Sequence, residues 1–422
     1  MTAIVDELMW RGLIAHTTDQ DALRKALADG PVTFYCGFDP TAASLHVGHL
    51  VQVLTLRRLQ QAGHRPLALV GGATGYIGDP RPTAERTLND PETIAQWVTR
   101  LRAQIVPYLS FEGDNAATMV NNLDWTEGLS AIEFLRDVGK HFRVNKMLTK
   151  DSVAQRLASE QGISYTEFSY QLLQAMDFLQ LYRRYGCTLQ TGGSDQWGNL
   201  TAGLDLIHRL EPHAEVHALA TPLMTKADGA KFGKTETGTL WLDPEMTTPY
   251  AFYQYWLNAD DRDISRYMRI LSFKSREELE ELEKVTEERP QARTSQHALA
   301  EELTTLVHGG DQCAAVIAAS KALFGQGELV ELDKATLSAA IAELPNAKVS
   351  EFGQIADLFA EVGLAASKSA ARRIVKEGGA YVNNTKVTAE DSAARAFELL
   401  HGRWLVLRRG KKSLAAIEIA GA

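Results

Sequence analysis

Over the first half of the chain, short apolar runs that end in glycine alternate with stretches of helical period. Helices are expected over residues 3–13 and 19–29. PVTFYCGFDP, at 31–40, then has the β-branched and aromatic make-up of a strand that runs into a loop at its Gly, Asp and Pro. Leu45, Leu50, Val53, Leu54, Leu56 and Leu59 lie near helical spacing, which predicts a helix over 45–62 that Gly63 ends. PLALVGG at 66–72 is apolar enough for a buried parallel strand, and the loop GATGYIGDP and a helix over 91–108 follow it. Further strands are expected over 115–123 and 187–193, with helices over 130–138, 151–158, 166–184 and 196–210. Strand, helix and strand in succession, with glycine-rich loops at the strand ends, predict an open α/β fold of Rossmann-like type. Ligands of such folds sit beyond the carboxyl ends of the parallel strands.

The rhythm changes after residue 250, and up to 344 the chain is almost wholly helical in pattern. FKSREELEELEKVTEER within it is a charge-laced, amphipathic element with a solvated face. Residues 352–376 predict a short helix, a break at Gly363 and a basic helix, and VNNTKV at 382–387 predicts a hairpin with an Asn-Asn turn. WLVLRRGKKSLAAIEI predicts two more strands joined by Arg-Arg-Gly-Lys-Lys. No internal repeat is present. Three parts are therefore expected: α/β over 1–244, helical over 245–345, and a small α+β part over 346–422.

Composition agrees with several domains, since 422 residues at 45% hydrophobic exceed the usual domain of about 100–200 residues. The net charge of −9 is uneven: from Ala366 to Ala422, eleven Lys and Arg face five Asp and Glu, a net of +6. An acidic body with a basic end suits a local polyanion contact and not a surface coated for nucleic acid. Cys36, Cys187 and Cys313 are odd in number and scattered, which argues against a disulfide framework and for a reducing cytoplasm. The acidic first turn precedes no apolar signal core, and no apolar run approaches about 20 residues, so neither secretion nor a membrane span is expected.

Two stretches carry the chemistry. In DPTAASLHVGHL, His46 and His49 stand at i and i+3 at an expected helix start. A protein zinc site wants three or four ligands, and no Glu lies between them as in His-Glu-x-x-His. A strand-loop-helix junction instead offers unpaired N–H groups and the positive end of the helix dipole to an anion; both imidazoles could donate to it, and Gly48 would admit a base or ribose. KFGKT at 231–235 places Lys231, Lys234 and Thr235 in a flexible loop that could carry charge to a polyphosphate, without the spacing of a Walker A motif. A third signal is SYTEFSYQLLQAMDF, where Tyr170, Gln174 and Asp177 fall at i, i+4 and i+7 on one helix face. Buried polar groups are costly unless something pairs with them, and a polar amino acid would.

Together, HVGH and KFGKT resemble the His-Ile-Gly-His and Lys-Met-Ser-Lys-Ser signatures of class I aminoacyl-tRNA synthetases. YCGFDPTAASLHVGHL, GGATGYIGDP, SYTEFSYQLLQAMDF and LQTGGSDQWGN resemble, in order, the bacterial tyrosyl-tRNA synthetase family, and the basic end resembles its S4-like RNA-binding domain. The resemblance implies activation of L-tyrosine with ATP, which Mg²⁺ accompanies, and transfer to tRNA(Tyr), with no structural metal. It implies that Tyr35 and Asp177 bond the phenol hydroxyl, Asp79, Tyr170 and Gln174 the α-ammonium, and that Gln196 approaches the carboxylate. Asp39 and Asp195, with backbone near Gly37, Gly48 and Gly193, hold the amino acid and the ribose, which Cys36 also touches. His46, His49, Lys231, Lys234 and Thr235 grip the phosphates.

One departure from the family stands in GDPRPTAERTLN: Arg86 has its ERxLN context, but the lysine that usually precedes it is absent and the loop is a residue short. Arg81 is the available substitute, although an arginine fork and a lysine point charge are not equivalent. For tRNA, Lys368, Arg372, Arg373 and Lys376 form one basic helix face, and Arg408, Arg409, Lys411 and Lys412 cluster in the last hairpin. The family implies a homodimer, with FRVNKML at 142–148 and the helix after it as candidates for the subunit contact. The alternatives are a synthetase-like RNA-binding protein without activation, and a class I synthetase for another aromatic amino acid.

Overall fold

The structure, a computed structural model, describes residues 3–81, 85–227, 232–235, 238–411 and 413–420. Its contacts divide the chain into two compact units, Met1–Met246 with Asp260–Lys284, and Thr247–Ala259 with Val285–Ala422.

The first unit is built on a six-stranded sheet of β1 (His16–Thr17), β2 (Thr33–Phe38), β3 (Arg65–Val70), β4 (Thr118–Asn121), β5 (Cys187–Gly193) and β6 (His217–Thr221). Their order is β1-β6-β5-β2-β3-β4, and all neighbours are parallel except β1 with β6. From β2 the chain moves outward through β3 to β4, then returns to β5 on the other side and continues to β6. The carboxyl ends of β2 and β5 therefore flank a topological switch point, where open α/β sheets form their ligand crevice. Helices Val47–Gln61, Pro91–Ile105, Tyr165–Tyr185 and Trp197–Leu210 accompany the strands. The core beneath the crevice includes Tyr35, Leu67, Leu69, Phe178, Leu179, Leu200 and Ala218.

The helical and strand patterns of this unit are present with small shifts at their ends. The first helix stops at Trp10, because the chain turns at Gly12 with φ +72°. The expected helix over 130–138 is one turn, Ala131–Glu133, followed by a π-helical turn, Phe134–Val138. HALAT in β6 gives no strand signal of its own, since alanine is a weak strand former; pairing with β5 and burial of all five residues make it one.

In the second unit, helices Pro249–Leu257, Thr294–His308, Gly310–Leu323 and Lys334–Ala342 precede a five-stranded sheet. That sheet comprises β9 (Asn346–Val349), β10 (Ala380–Val382), β11 (Thr385–Lys386), β12 (Trp404–Arg409) and β13 (Ser413–Ile419), in the order β11-β10-β12-β13-β9. The turn between β10 and β11 is Asn383-Asn384, with φ of 47° and 66°, the left-handed pair that a tight hairpin requires and asparagine tolerates. Helices Ile355–Glu361 and Lys368–Lys376 complete a core with Phe359, Val375, Leu405 and Ile417. β9 was not expected from NAKV, and exists because β13 offers it a parallel partner. In the first unit, β7 (Lys234–Thr235) and β8 (Gly238–Thr239) form a two-residue ladder.

Candidate active site

β2 delivers its chain into the crevice, and the loop after it ends at His46, the N-cap of helix Val47–Gln61. His46 Nδ1 accepts the N–H of Gly48 at 3.0 Å, and His49 Nδ1 accepts the N–H of His46 at 3.2 Å. This is a capping box built from two imidazoles, and it satisfies two helix-start donors. Because each Nδ1 accepts, the proton of each neutral ring is on Nε2. The rings stack with centroids 3.9 Å apart. Burial, then the neighbouring His46, push His49 down to about 3. Gly48 has a structural reason beyond ligand access: a Cβ there would lie 2.8 Å from the His46 ring.

The two signature stretches meet. The N–H of Val47 donates to Leu240, and the N–H of Leu240 donates to the carbonyl of Gly233 at 2.8 Å. Gly233 has φ +69°, and a Cβ on it would come within 2.4 Å of Val47. Lys231 lies outside the described residues, as do the side chains of Lys234 and Thr235; the backbone of the latter two forms β7.

Behind this junction, one chain of hydrogen bonds crosses the crevice floor. Tyr170 donates its hydroxyl to Asp39 at 2.7 Å, and Thr74 donates to the other Asp39 oxygen at 2.6 Å. Asn122 Nδ2 donates to Thr74 at 3.0 Å and to Asp177 at 3.0 Å, and Trp125 Nε1 donates to Asp177 at 2.8 Å. Burial raises the Asp177 carboxyl to about 7 against these donors, and it also raises that of Asp39. Tyr35 is buried and its hydroxyl has no partner among the described residues; burial followed by the Asp177 charge pushes the phenol well up. Gln174 Oε1 is likewise buried, with no partner among the described residues. An orphaned hydroxyl and an orphaned amide oxygen around a held carboxylate form a set that a polar ligand would complete.

Asp79 anchors a second cluster. It accepts from Lys150 Nζ at 3.0 Å, Gln196 Nε2 at 3.1 Å and Asn199 Nδ2 at 3.3 Å. Gln196 also donates to Asp195 at 3.3 Å, and a Cβ on Gly193 would strike that carboxylate at 2.5 Å. Arg86 Nε is bound to the carbonyl of Asp79 at 2.8 Å. Cys36 is buried beside Gly37, and burial pushes its thiol up to about 12; its Sγ lies 4.0 Å from Gln52. Among the described residues, no group of three His, Cys, Asp or Glu could hold a metal ion.

Thr74, Asn122, Trp125, Lys150 and Asn199 were not singled out by sequence. Thr74 and Asn199 lie in stretches that were, GATGYIGDP and LQTGGSDQWGN, but Asn122, Trp125 and Lys150 take meaning only from strand pairing and helix packing.

In the tail, Lys368 pairs with Asp357 at 3.1 Å and Arg372 donates to Gln354 at 3.4 Å, while Arg373 and Lys376 are exposed on the same helix. Arg408 lies over the Tyr381 ring at 4.1 Å and donates to Gly410, and Arg409 donates to the carbonyl of Leu364. Lys411 is exposed, and Lys412 lies outside the described residues.

Comparison with known proteins gives the same picture. The family model of tRNA synthetases class I (W and Y) matches residues 27–325, and that of the tyrosine–tRNA ligase SYY-like C-terminal domain matches 336–417. Tyrosine–tRNA ligase of Streptomyces coelicolor is 82% identical over 422 residues, the whole of both chains. That of Streptomyces griseus subsp. griseus is 82% identical over 419 residues, 99% of each chain. The crystal structure of a C-terminally truncated mitochondrial tyrosyl-tRNA synthetase of Coccidioides posadasii aligns with a TM-score of 0.66 at 31% identity, over 75% of this chain and 91% of its own. The fold and its crevice are those of a class I aminoacyl-tRNA synthetase. Within that class, the chain belongs to the tyrosine–tRNA ligase family.

Proposed function

We propose that the protein activates L-tyrosine with ATP and Mg²⁺ and transfers it to tRNA(Tyr). The tyrosine carboxylate attacks the α-phosphorus, the bond to the bridging oxygen breaks, and pyrophosphate leaves tyrosyl-adenylate. A ribose hydroxyl of the tRNA terminal adenosine then attacks the activated carbonyl and releases AMP. A carboxylate is already a nucleophile, so catalysis falls on positioning and on stabilising charge that grows on the phosphates.

The observation that carries this reading is the buried Tyr35 hydroxyl, unpaired, beside an Asp177 that Asn122 and Trp125 hold. A phenol hydroxyl can donate to Asp177 and accept from Tyr35, and no other common side chain of that length does both. Asp79, Tyr170 and Gln174 take the α-ammonium, and Gln196 takes the carboxylate side. Asp39, Asp195 and Cys36, with Gly37, Gly48 and Gly193, border the amino acid and ribose. His46 and His49 donate Nε2–H to the phosphates with Lys231, Lys234, Thr235 and Arg86, and Mg²⁺ arrives with ATP. The exposed cations of helix Lys368–Lys376, with Arg409 and Lys411, support a tRNA backbone contact.

A second copy of the chain is the proposed partner, supported by exposed Ile132, Leu135, Val144, Leu148 and Leu157 in one stretch. A tail module over 346–422 is supported by a five-stranded sheet with its own core. Among the described residues no helix is long and apolar enough to cross a membrane, and three buried free thiols support a cytoplasmic site of action. The test is charging of tRNA(Tyr) with labelled tyrosine. Charging with tryptophan in place of tyrosine, or no charging, overturns the reading.

A further inference from the structure

Arg156 and Glu167 form an ion pair of 2.8 Å whose side chains are only 1% and 2% exposed. Among the described residues, the other bonds of the two side chains go to backbone. Glu167 Oε1 accepts the N–H of Arg86 at 2.9 Å, and Arg156 Nη1 donates to the carbonyl of Arg81 at 3.2 Å. Arg156 Nε donates to the carbonyl of Gly162 at 2.9 Å, which ties the guanidinium to the turn ahead of the next helix. Glu167 lies in the first turn of that helix, Tyr165–Tyr185, which also carries Tyr170, Gln174 and Asp177.

A buried ion pair is weak support for stability, because desolvation offsets most of its attraction. Its placement suits another task. The Arg86 charge draws the Arg81 guanidinium below its ordinary value, so two like charges lie near each other on this loop. Holding both for one anion requires fixed backbone at each, and the pair supplies a bond to each.

We propose that Arg156 and Glu167 are positioning residues for ATP, fixing Arg81 and Arg86 on the helix that carries the tyrosine-binding side chains. The proposal rests on Arg86 facing the phosphates, as in the reading above. Neither residue of the pair touches substrate. Through Glu167, the placement of the phosphate-binding arginines and of the tyrosine groups is referred to one rigid element.

The experiment is tyrosine-dependent exchange of pyrophosphate into ATP by the full chain, with tyrosine affinity measured separately without ATP. Glu167→Gln and Arg156→Lys should raise KM for ATP or lower kcat by at least about tenfold, as misplacement far from the chemistry does, with tyrosine affinity within about twofold. Because Glu167→Gln leaves the Arg156 charge buried without its partner, the double variant Arg156→Met, Glu167→Leu is the partner measurement: it removes both charges, roughly keeps the volume, and should fold with the same ATP-selective loss. Unchanged ATP parameters in a folded variant, or equal losses for ATP and tyrosine, overturn the proposal. Absence of exchange by the unaltered protein overturns the activation reading instead, so the two failures are distinct.

Discussion

His46 and His49 cap one helix together: each Nδ1 accepts a backbone N–H, the rings stack at 3.9 Å, and the proton of each imidazole is left on Nε2. One arrangement thus completes the helix start and leaves two neutral Nε2–H donors, which the proposed function turns to the phosphates. His49→Ala should lower the rate of tyrosine activation by about 10²-fold, the usual loss for one donor to transition-state charge. Lost capping should cost about 1 kcal/mol of stability. Tyrosine affinity should stay the same, as equilibrium dialysis measures; a parallel loss of affinity would place His49 elsewhere than at the phosphates.

With Asp177 against the phenol hydroxyl, as proposed, tyrosine binding should depend on pH. Its carboxyl stands at about 7 in the folded protein, above the ordinary value near 4. Its contribution to the stability of the ligand-free fold is present below about pH 4 and is lost as pH rises through about 7. A phenol hydroxyl donates best to the ionised form, so tyrosine affinity should increase toward pH 7 and level off above it. Calorimetric titration from about pH 5.5 to 8.5 tests this, and Asp177→Asn should remove the dependence. A flat profile in the unaltered protein would separate Asp177 from the hydroxyl.

At Tyr35, stability and the proposed function should pull in opposite directions. Its hydroxyl is buried and unpaired, so Tyr35→Phe should stabilise the ligand-free protein by about 1 kcal/mol. The same change should weaken tyrosine binding about five- to tenfold while leaving phenylalanine binding nearly unaltered. Thermal melting with and without tyrosine reads both effects; a lower melting point without ligand would mean that the hydroxyl has a partner.

Arg373 and Lys376 are exposed on the basic tail helix. Replacing both by alanine should raise KM for tRNA and reduce the salt slope of tRNA binding by about 1 to 2. Tyrosine-dependent pyrophosphate exchange involves no tRNA, and should change less than about twofold. An unaltered salt slope would remove the pair from the phosphate contact.

What the sequence made legible was local. The strand into HVGH, the helix face of Tyr170, Gln174 and Asp177, and the Asn383-Asn384 hairpin each follow from spacing or turn chemistry within about ten residues. Contacts that need distant partners were not. Asn122 reaches Thr74 and Asp177 only because β3 and β4 lie parallel and side by side. Glu167 gave no signal of its own: its N–H is capped by Ser164, while its carboxylate turns to Arg156 and to the N–H of Arg86, partners that only the fold brings near. Charge alone also could not separate Arg408, laid over Tyr381, from the exposed Arg373 on the tail helix.

The central claim is that a crevice with an unpaired Tyr35 hydroxyl and a held Asp177 selects tyrosine for activation. Exchange of labelled pyrophosphate into ATP, run with tyrosine, phenylalanine and tryptophan in turn, measures it most directly. The account predicts exchange with tyrosine, little with phenylalanine or tryptophan, and selectivity against phenylalanine lowered at least about tenfold by Asp177→Asn, the worth of a hydrogen bond to a charged group. Exchange with tryptophan or phenylalanine at the rate seen with tyrosine, or selectivity untouched by that substitution, would contradict it.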